Sequence, residues 1–162
     1  METIRRLKRD DDLADLINLS REFFAEYEAH HKEFFDIDGL EDVHISDYFT
    51  TTIDPENQAT FVAMLDRKTI GYITVHVRPQ PAFYRMNKVG AISGLMVQRE
   101  HRRSGIASRL LAKAQAFFKD QGVRYFSVYT AISNDAALRF YETNGMAPLY
   151  TTFIGKVDIQ QI

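Results

Sequence analysis

An apolar strand that runs without a break into a basic turn and then an amphipathic helix constrains this chain most. Residues 88–97 read KVGAISGLMV, residues 98–111 read QREHRRSGIASRLL, and Ile106, Leu110, Leu111, Ala114, Phe117 and Phe118 recur at helical spacing. Gly122 ends that helix, and VRYFSVYT follows as a run of β-branched and aromatic residues. Strand, helix and strand in that order fit a mixed sheet with helices on its faces. The basic turn between them has three readings: a solvated charged loop, a nucleic-acid patch, or a cradle for a phosphorylated ligand.

The remaining segments extend the unit into a single domain spanning residues 1–162. TIRRLK reads as a first strand. Asp10 to Asp12 open a helix whose apolar positions are Leu13, Leu16, Ile17, Phe23 and Phe24. The stretch HHKEFFDIDG breaks it, and a weaker helix spans Glu41 to Thr52. ATFVAML and TIGYITVHV, joined by the turn DRK, predict a hairpin, and RPQPAF is a loop. Asn134 caps a helix that runs to Asn144, with Gly145 beyond its end. APLYTTFIGKV is expected to form a last strand or hairpin. The order β-α-α-β-β-β-α-β-α-β gives an α/β chain of the α+β kind, a central mixed sheet flanked by helices.

Composition narrows the chemistry. The chain has no cysteine, so it holds no disulfide, no thiolate metal site and no cysteinyl acyl-enzyme. No apolar run approaches the ~20 residues of a membrane helix and METIRRLKRDDD lacks a signal-peptide core, so a cytoplasmic protein without membrane contact is expected. Net charge is only −2, but residues 1–57 carry six Lys/Arg against sixteen Asp/Glu, a net of −10. Residues 58–162 carry fourteen against six, a net of +8. One part of such a chain suits an anion and the other a cation, although charge blocks are as often merely solvated faces. An acidic pI of ≈ 6.2 disfavours nucleic acid as a partner. His30, His31 and His44 lie among Glu26, Glu28, Glu33 and Asp36, but their spacing fits no zinc motif, and no metal is expected.

Unpaired N–H groups at the start of the helix after Gly105 suit a phosphate, and Arg102 and Arg103 add charged donors. Glycine lets the backbone approach a ligand closely, and Ala107 and Ser108 are small enough not to block it. The loop is neither G-x-x-x-x-G-K-S/T nor G-x-G-x-x-G. RRSGIA does resemble the signature of the GNAT superfamily of N-acetyltransferases: Gln or Arg, then x-x-G-x, then Gly or Ala, after the fourth strand. A second stretch, N134-D-A-A-L-R-F-Y141-E-T-N-G145-M, is similar to that family's N-x-x-A-x-x-F/L-Y-x-x-x-G-F/M. The two motifs cover roughly residues 91–147.

The resemblance implies the GNAT fold and an acetyl-CoA-dependent N-acetyltransferase that acts by direct attack of a primary amine, on a small molecule, peptide or protein. By position it implies that Leu95, Met96 and Val97 bind the pantetheine arm through their backbone, with the Leu95 N–H polarising the thioester carbonyl. Arg102, Arg103, Ser104, Gly105, Ile106, Ala107 and Ser108 would hold the diphosphate. Asn134, Ala137 and Tyr141 would line the thiol end, Tyr141 protonating the departing thiolate. A homodimer would accord with family habit. Where some members carry a glutamate base this chain has Ala91, beside Ser93. The base is left among His76, Glu26, His30, His31 and Glu33, and a non-catalytic acyl-CoA-binding module stands as the alternative.

Overall fold

A computed structural model describes residues 2–37 and 40–157. The chain runs β1 (Glu2–Arg6), α1 (Ala14–Glu28), α2 (Asp42–Thr50), β2 (Gln58–Leu65), β3 (Lys68–Pro79), β4 (Lys88–Val97), a one-turn 3-10 helix (Arg99–His101), α3 (Ile106–Asp120), β5 (Phe126–Val128) and α4 (Asp135–Thr143). Of the expected helix break at 30–39, Asp38 and Gly39 lie outside the described residues.

The strands pair in chain order. β1 to β4 are antiparallel, and β5 joins β4 in parallel after the α3 crossover. The β2–β3 hairpin closes tightly because Asp66 and Arg67 both take positive φ, 50° and 68°, as a two-residue turn matching strand twist requires. Lys68, expected in the turn, is the first residue of β3.

Alternation splits the core into two layers, one on each face of the sheet. Ala63, Ile73, Val75 and Ile92 pack under Leu110, Leu111, Ala114 and Phe118 of α3. Val62, Tyr72 and Met96 point the other way, against Leu16 and Leu19 of α1 and Ile45 and Phe49 of α2. A buried hydroxyl chain crosses this second layer: Thr52 Oγ1 lies 2.8 Å from Thr60 Oγ1, which lies 3.1 Å from Thr74 Oγ1. The α3 layer is close-packed at Gly90, where an added Cβ would fall 2.5 Å from the Phe118 ring. Among the described residues no helix is long and apolar enough to cross a membrane.

β4 carries a bulge. Thr74 pairs with Gly94 and Val75 with Ile92, so Ser93 is an extra residue. Before it the even positions Gly90 and Ile92 face α3; after it the odd positions Leu95 and Val97 do. Ser93 faces the α1/α2 side, where its hydroxyl lies 2.6 Å from the Tyr48 hydroxyl.

Two expectations need correction. VRYFSVYT forms a strand only at Phe126–Val128. APLYTTFIGKV forms none, and Leu149 and Phe153 are 83% and 92% exposed. Its apolar positions 149, 150, 153, 154 and 157 do not alternate, so no strand register puts them all on one buried face.

Candidate active site

The bulge opens a gap in the sheet. Gln98 N–H donates to the Ile70 carbonyl at 2.7 Å, and two residues back the same phase makes Tyr72–Met96 a hydrogen-bonded pair. The N–H and C=O groups of Leu95 and Val97 therefore turn away from β3. On that other side β5 pairs only with Gly90–Ile92, so the sheet leaves this edge uncovered. The Val97 carbonyl takes a substitute donor, Arg102 Nε, at 2.9 Å.

The basic turn continues from this edge into α3. Arg103 has φ 63° and Gly105 φ 85°, while Ser104 between them has no positive φ, a reversal of hand that curls successive N–H groups toward one side. Gly105 is the N-cap of α3 and supplies no side-chain cap. The first intrahelical bond is Arg109 N–H to the Gly105 carbonyl, 3.1 Å, so the N–H groups of Ile106, Ala107 and Ser108 have no partner within the helix. A Cβ built on Gly105 would meet nothing within 4 Å, which leaves room before the helix end for an anion. The two arginines differ. Arg102 Nη2 is held by Glu26 of α1 at 2.8 Å; the Arg103 guanidinium has no hydrogen bond or ion pair among the described residues.

The third wall is α4. Asn134 caps it, its Oδ1 accepting from Ala137 N–H at 3.1 Å. Two turns on, burial pushes the Tyr141 hydroxyl up to about 12, so it is a phenol, and a proton donor, at any physiological pH.

These three walls and the far half of α1 enclose a cleft of ≈ 910 Å³. It brings together every residue expected at the site except Ser104, whose hydroxyl donates back to the His101 carbonyl. Leu95, Met96 and Val97 form its floor, Gly105 to Ser108 one end, and Asn134, Ala137 and Tyr141 the opposite side. Phe23, Tyr27 and Arg139 also line it and were not anticipated. The first two are an i, i+4 pair stacked at 5.8 Å, a spacing visible in the sequence but equally that of a core stripe.

The candidate bases separate. Glu26 pairs with Arg102 and, at 3.5 Å, with Arg99. His30 Nδ1 lies 2.8 Å from Ser133 Oγ, His31 Nδ1 accepts from Phe34 N–H at 3.0 Å, and Glu33 pairs with Lys156 at 3.0 Å. The His76 side chain has no hydrogen bond or ion pair among the described residues. Desolvation, with a smaller contribution from Arg78, lowers its pKa.

An uncharacterised N-acetyltransferase of Archaeoglobus fulgidus is 26% identical over 149 residues, 88% of this chain and 91% of that one. A tetramutant of the BH1408 protein of Bacillus halodurans superposes with TM-score 0.82 at 21% identity, over 96% of this chain and 99% of that chain. AAC(6')-Iy in complex with the bisubstrate analog CoA-S-monomethyl-acetylneamine superposes with TM-score 0.76 at 18% identity, over 98% and 99%. Residues 13–146, which contain the open β4 edge, the α3 N-terminus and Tyr141, match the acetyltransferase (GNAT) family, and the chain belongs to that family.

Proposed function

We propose that this protein transfers acetyl from acetyl-CoA to a primary amine that carries additional positive charge. The observation that carries the reading is the single cleft that joins an open strand edge, an uncapped helix N-terminus and a protonated tyrosine. Acetyl-CoA supplies an activated acyl group and a thiolate leaving group, and each wall suits one part of it. The N–H groups of Ile106 to Ser108, with Arg103, match the diphosphate. The Leu95 and Val97 edge offers an extended, amide-bearing arm a strand to pair with. The Leu95 N–H stands where it can donate to a carbonyl oxygen that gains charge in the transition state. The Tyr141 hydroxyl donates the proton that the sulfur takes up on leaving.

The choice of amine rests on charge. The −10 borne by residues 1–57 includes Glu22, Glu26 and Glu28 on α1, the helix that forms the fourth wall. AAC(6')-Ih of Acinetobacter baumannii, an aminoglycoside 6'-N-acetyltransferase, shares the fold with TM-score 0.75, and aminoglycosides are polycations. Like polyamines, they suit an acidic approach.

Thiol release from acetyl-CoA, measured against a panel of aminoglycosides, spermidine, neutral amines and acidic amines, tests the reading. Cationic amines should give the highest kcat/KM, with the advantage shrinking as salt rises. Tight acetyl-CoA binding with no thiol release for any amine would instead favour an acyl-CoA-binding module, the reading suggested by the absence of a carboxylate at Ala91.

A further inference from the structure

Direct transfer to an amine needs a proton acceptor, since an aliphatic ammonium has no lone pair with which to attack. On the acetyltransferase reading above, we propose that His76 takes this proton from the acceptor ammonium, through water held on the ledge formed by Ser93 and Tyr48.

Register places it. His76 pairs across the sheet with Ala91, and directly opposed side chains in an antiparallel pair have Cβ atoms ~5 Å apart on one face. His76 shares the parity of Tyr72 and Thr74, so it lies on the α1/α2 face, as does the hydroxyl pair Ser93–Tyr48 at the bulge. Tyr141 and the leaving sulfur belong to the α4 side of the cleft, so the amine attacks from the opposite, α1/α2 side. His76 stands three residues along β3 from Ile73, the partner of Leu95, or ~10 Å at strand rise. That span suits a short water chain better than direct contact. Ser93 also donates to the Thr74 carbonyl at 3.3 Å, which fixes the ledge between the imidazole and the reacting end.

Glu26 and Glu33 are paired with Arg102 and Lys156, and His31 and His30 each have Nδ1 engaged, by Phe34 N–H and by Ser133 Oγ beside the α4 N-cap. The His76 imidazole, outside the cleft lining, is half-buried and has no hydrogen bond or ion pair among the described residues. Gln58 on β2 and Ala91 on β4 are its register partners, and Arg78, two residues along its own strand, is the charge acting on it. With no carboxylate among these neighbours, the ring is neutral at pH 7 and has a free lone pair. Protons balance: the ammonium gives one to His76, which passes it to solvent. Formation of the C–N bond and cleavage of the C–S bond move the second from nitrogen to sulfur.

The test is the pH profile of kcat/KM for His76→Gln with the best amine of the panel, beside an acetyl-CoA titration and a thermal melt. The variant should fold, bind acetyl-CoA as before, lose on the order of 10- to 100-fold in kcat/KM at pH 7, and recover at alkaline pH where the free amine is abundant. A profile within twofold of the native one throughout overturns the proposal. If His76→Gln does not fold, Ser93→Ala serves: without the ledge hydroxyl kcat/KM should fall at pH 7 and recover at alkaline pH, and an unchanged profile overturns the assignment. A native protein that releases no thiol with any amine refutes the acetyltransferase reading itself, whereas a native protein that turns over while His76→Gln matches it refutes only the role of His76.

Discussion

Glu26 of α1 reaches across the cleft to Arg102 at 2.8 Å, while the same guanidinium donates through Nε to the Val97 carbonyl at 2.9 Å. Arg102 thus ties the acidic helix to the open strand edge, and its Nη2 is engaged before any anion arrives. A diphosphate at the α3 N-terminus would meet both a competitor for Arg102 and a like charge. Glu26→Gln should therefore tighten acetyl-CoA binding. For a pair about one-third exposed on each side the gain is about 0.5 kcal/mol, or roughly two- to threefold in Kd. Calorimetric titration decides the sign, and weaker binding would mean that Glu26 orients Arg102 rather than competing for it.

Gly105 separates backbone cost from charge. Its φ of 85° suits a residue without Cβ, yet a Cβ there touches nothing within 4 Å. Gly105→Ala should lose about 1 kcal/mol of stability to the left-handed backbone and keep most of its acetyl-CoA affinity. Gly105→Glu carries the same backbone cost and adds a carboxylate where the diphosphate belongs. Its affinity should fall more than about tenfold, equivalent to ~1.4 kcal/mol, with a melting temperature close to that of the alanine variant. Equal affinity for the two variants would remove the diphosphate from this helix end.

How much of this could be read from the residues depends on the range of the interaction. The α3 stripe, the Asn134 cap and the two motifs are set by neighbours within about two turns, and the structure has each where the spacing puts it. The bulge at Ser93 depends on how β4 registers with β3; Gly94 beside it is the one local sign, and a strand glycine can equally mark a close backbone approach. The Glu26–Arg102 pair joins residues 76 positions apart. The expected last strand failed because APLYTTFIGKV is rich in strand-forming residues without being periodic, and propensity without a face to bury does not make a strand.

Tyr141→Phe keeps the ring against the cleft and removes only the hydroxyl. Acetyl-CoA affinity should change little, and kcat should fall by up to about 10²-fold, less where water can protonate so good a leaving group. Because burial pushes this hydroxyl up to about 12, the native kcat should show no falling limb from its ionisation between pH 7 and 10. Loss of acetyl-CoA affinity with kcat intact would make the hydroxyl a binding group instead.

Stability at low pH should follow Asp11, in the turn that feeds β1 into α1. Its carboxylate accepts both arms of the Arg5 guanidinium at 2.8 Å and the Lys8 N–H at 2.7 Å. The Arg5 hydrogen bonds outweigh desolvation and hold its pKa below the ordinary carboxylate value. The folded state therefore binds this proton less readily than the unfolded chain, so the stabilisation is complete above the unfolded pKa near ~4 and is lost as pH falls through the folded value. Asp11→Asn should cost about 1 kcal/mol at pH 7, a modest figure for a charged bond because both side chains remain partly exposed. The gap between native and variant urea midpoints should narrow below about pH 4 and close near about pH 2. A gap that persists unchanged to pH 2 would mean that Asp11 acts as a two-oxygen hydrogen-bond acceptor in the turn rather than through its charge, since asparagine keeps the shape but loses one acceptor.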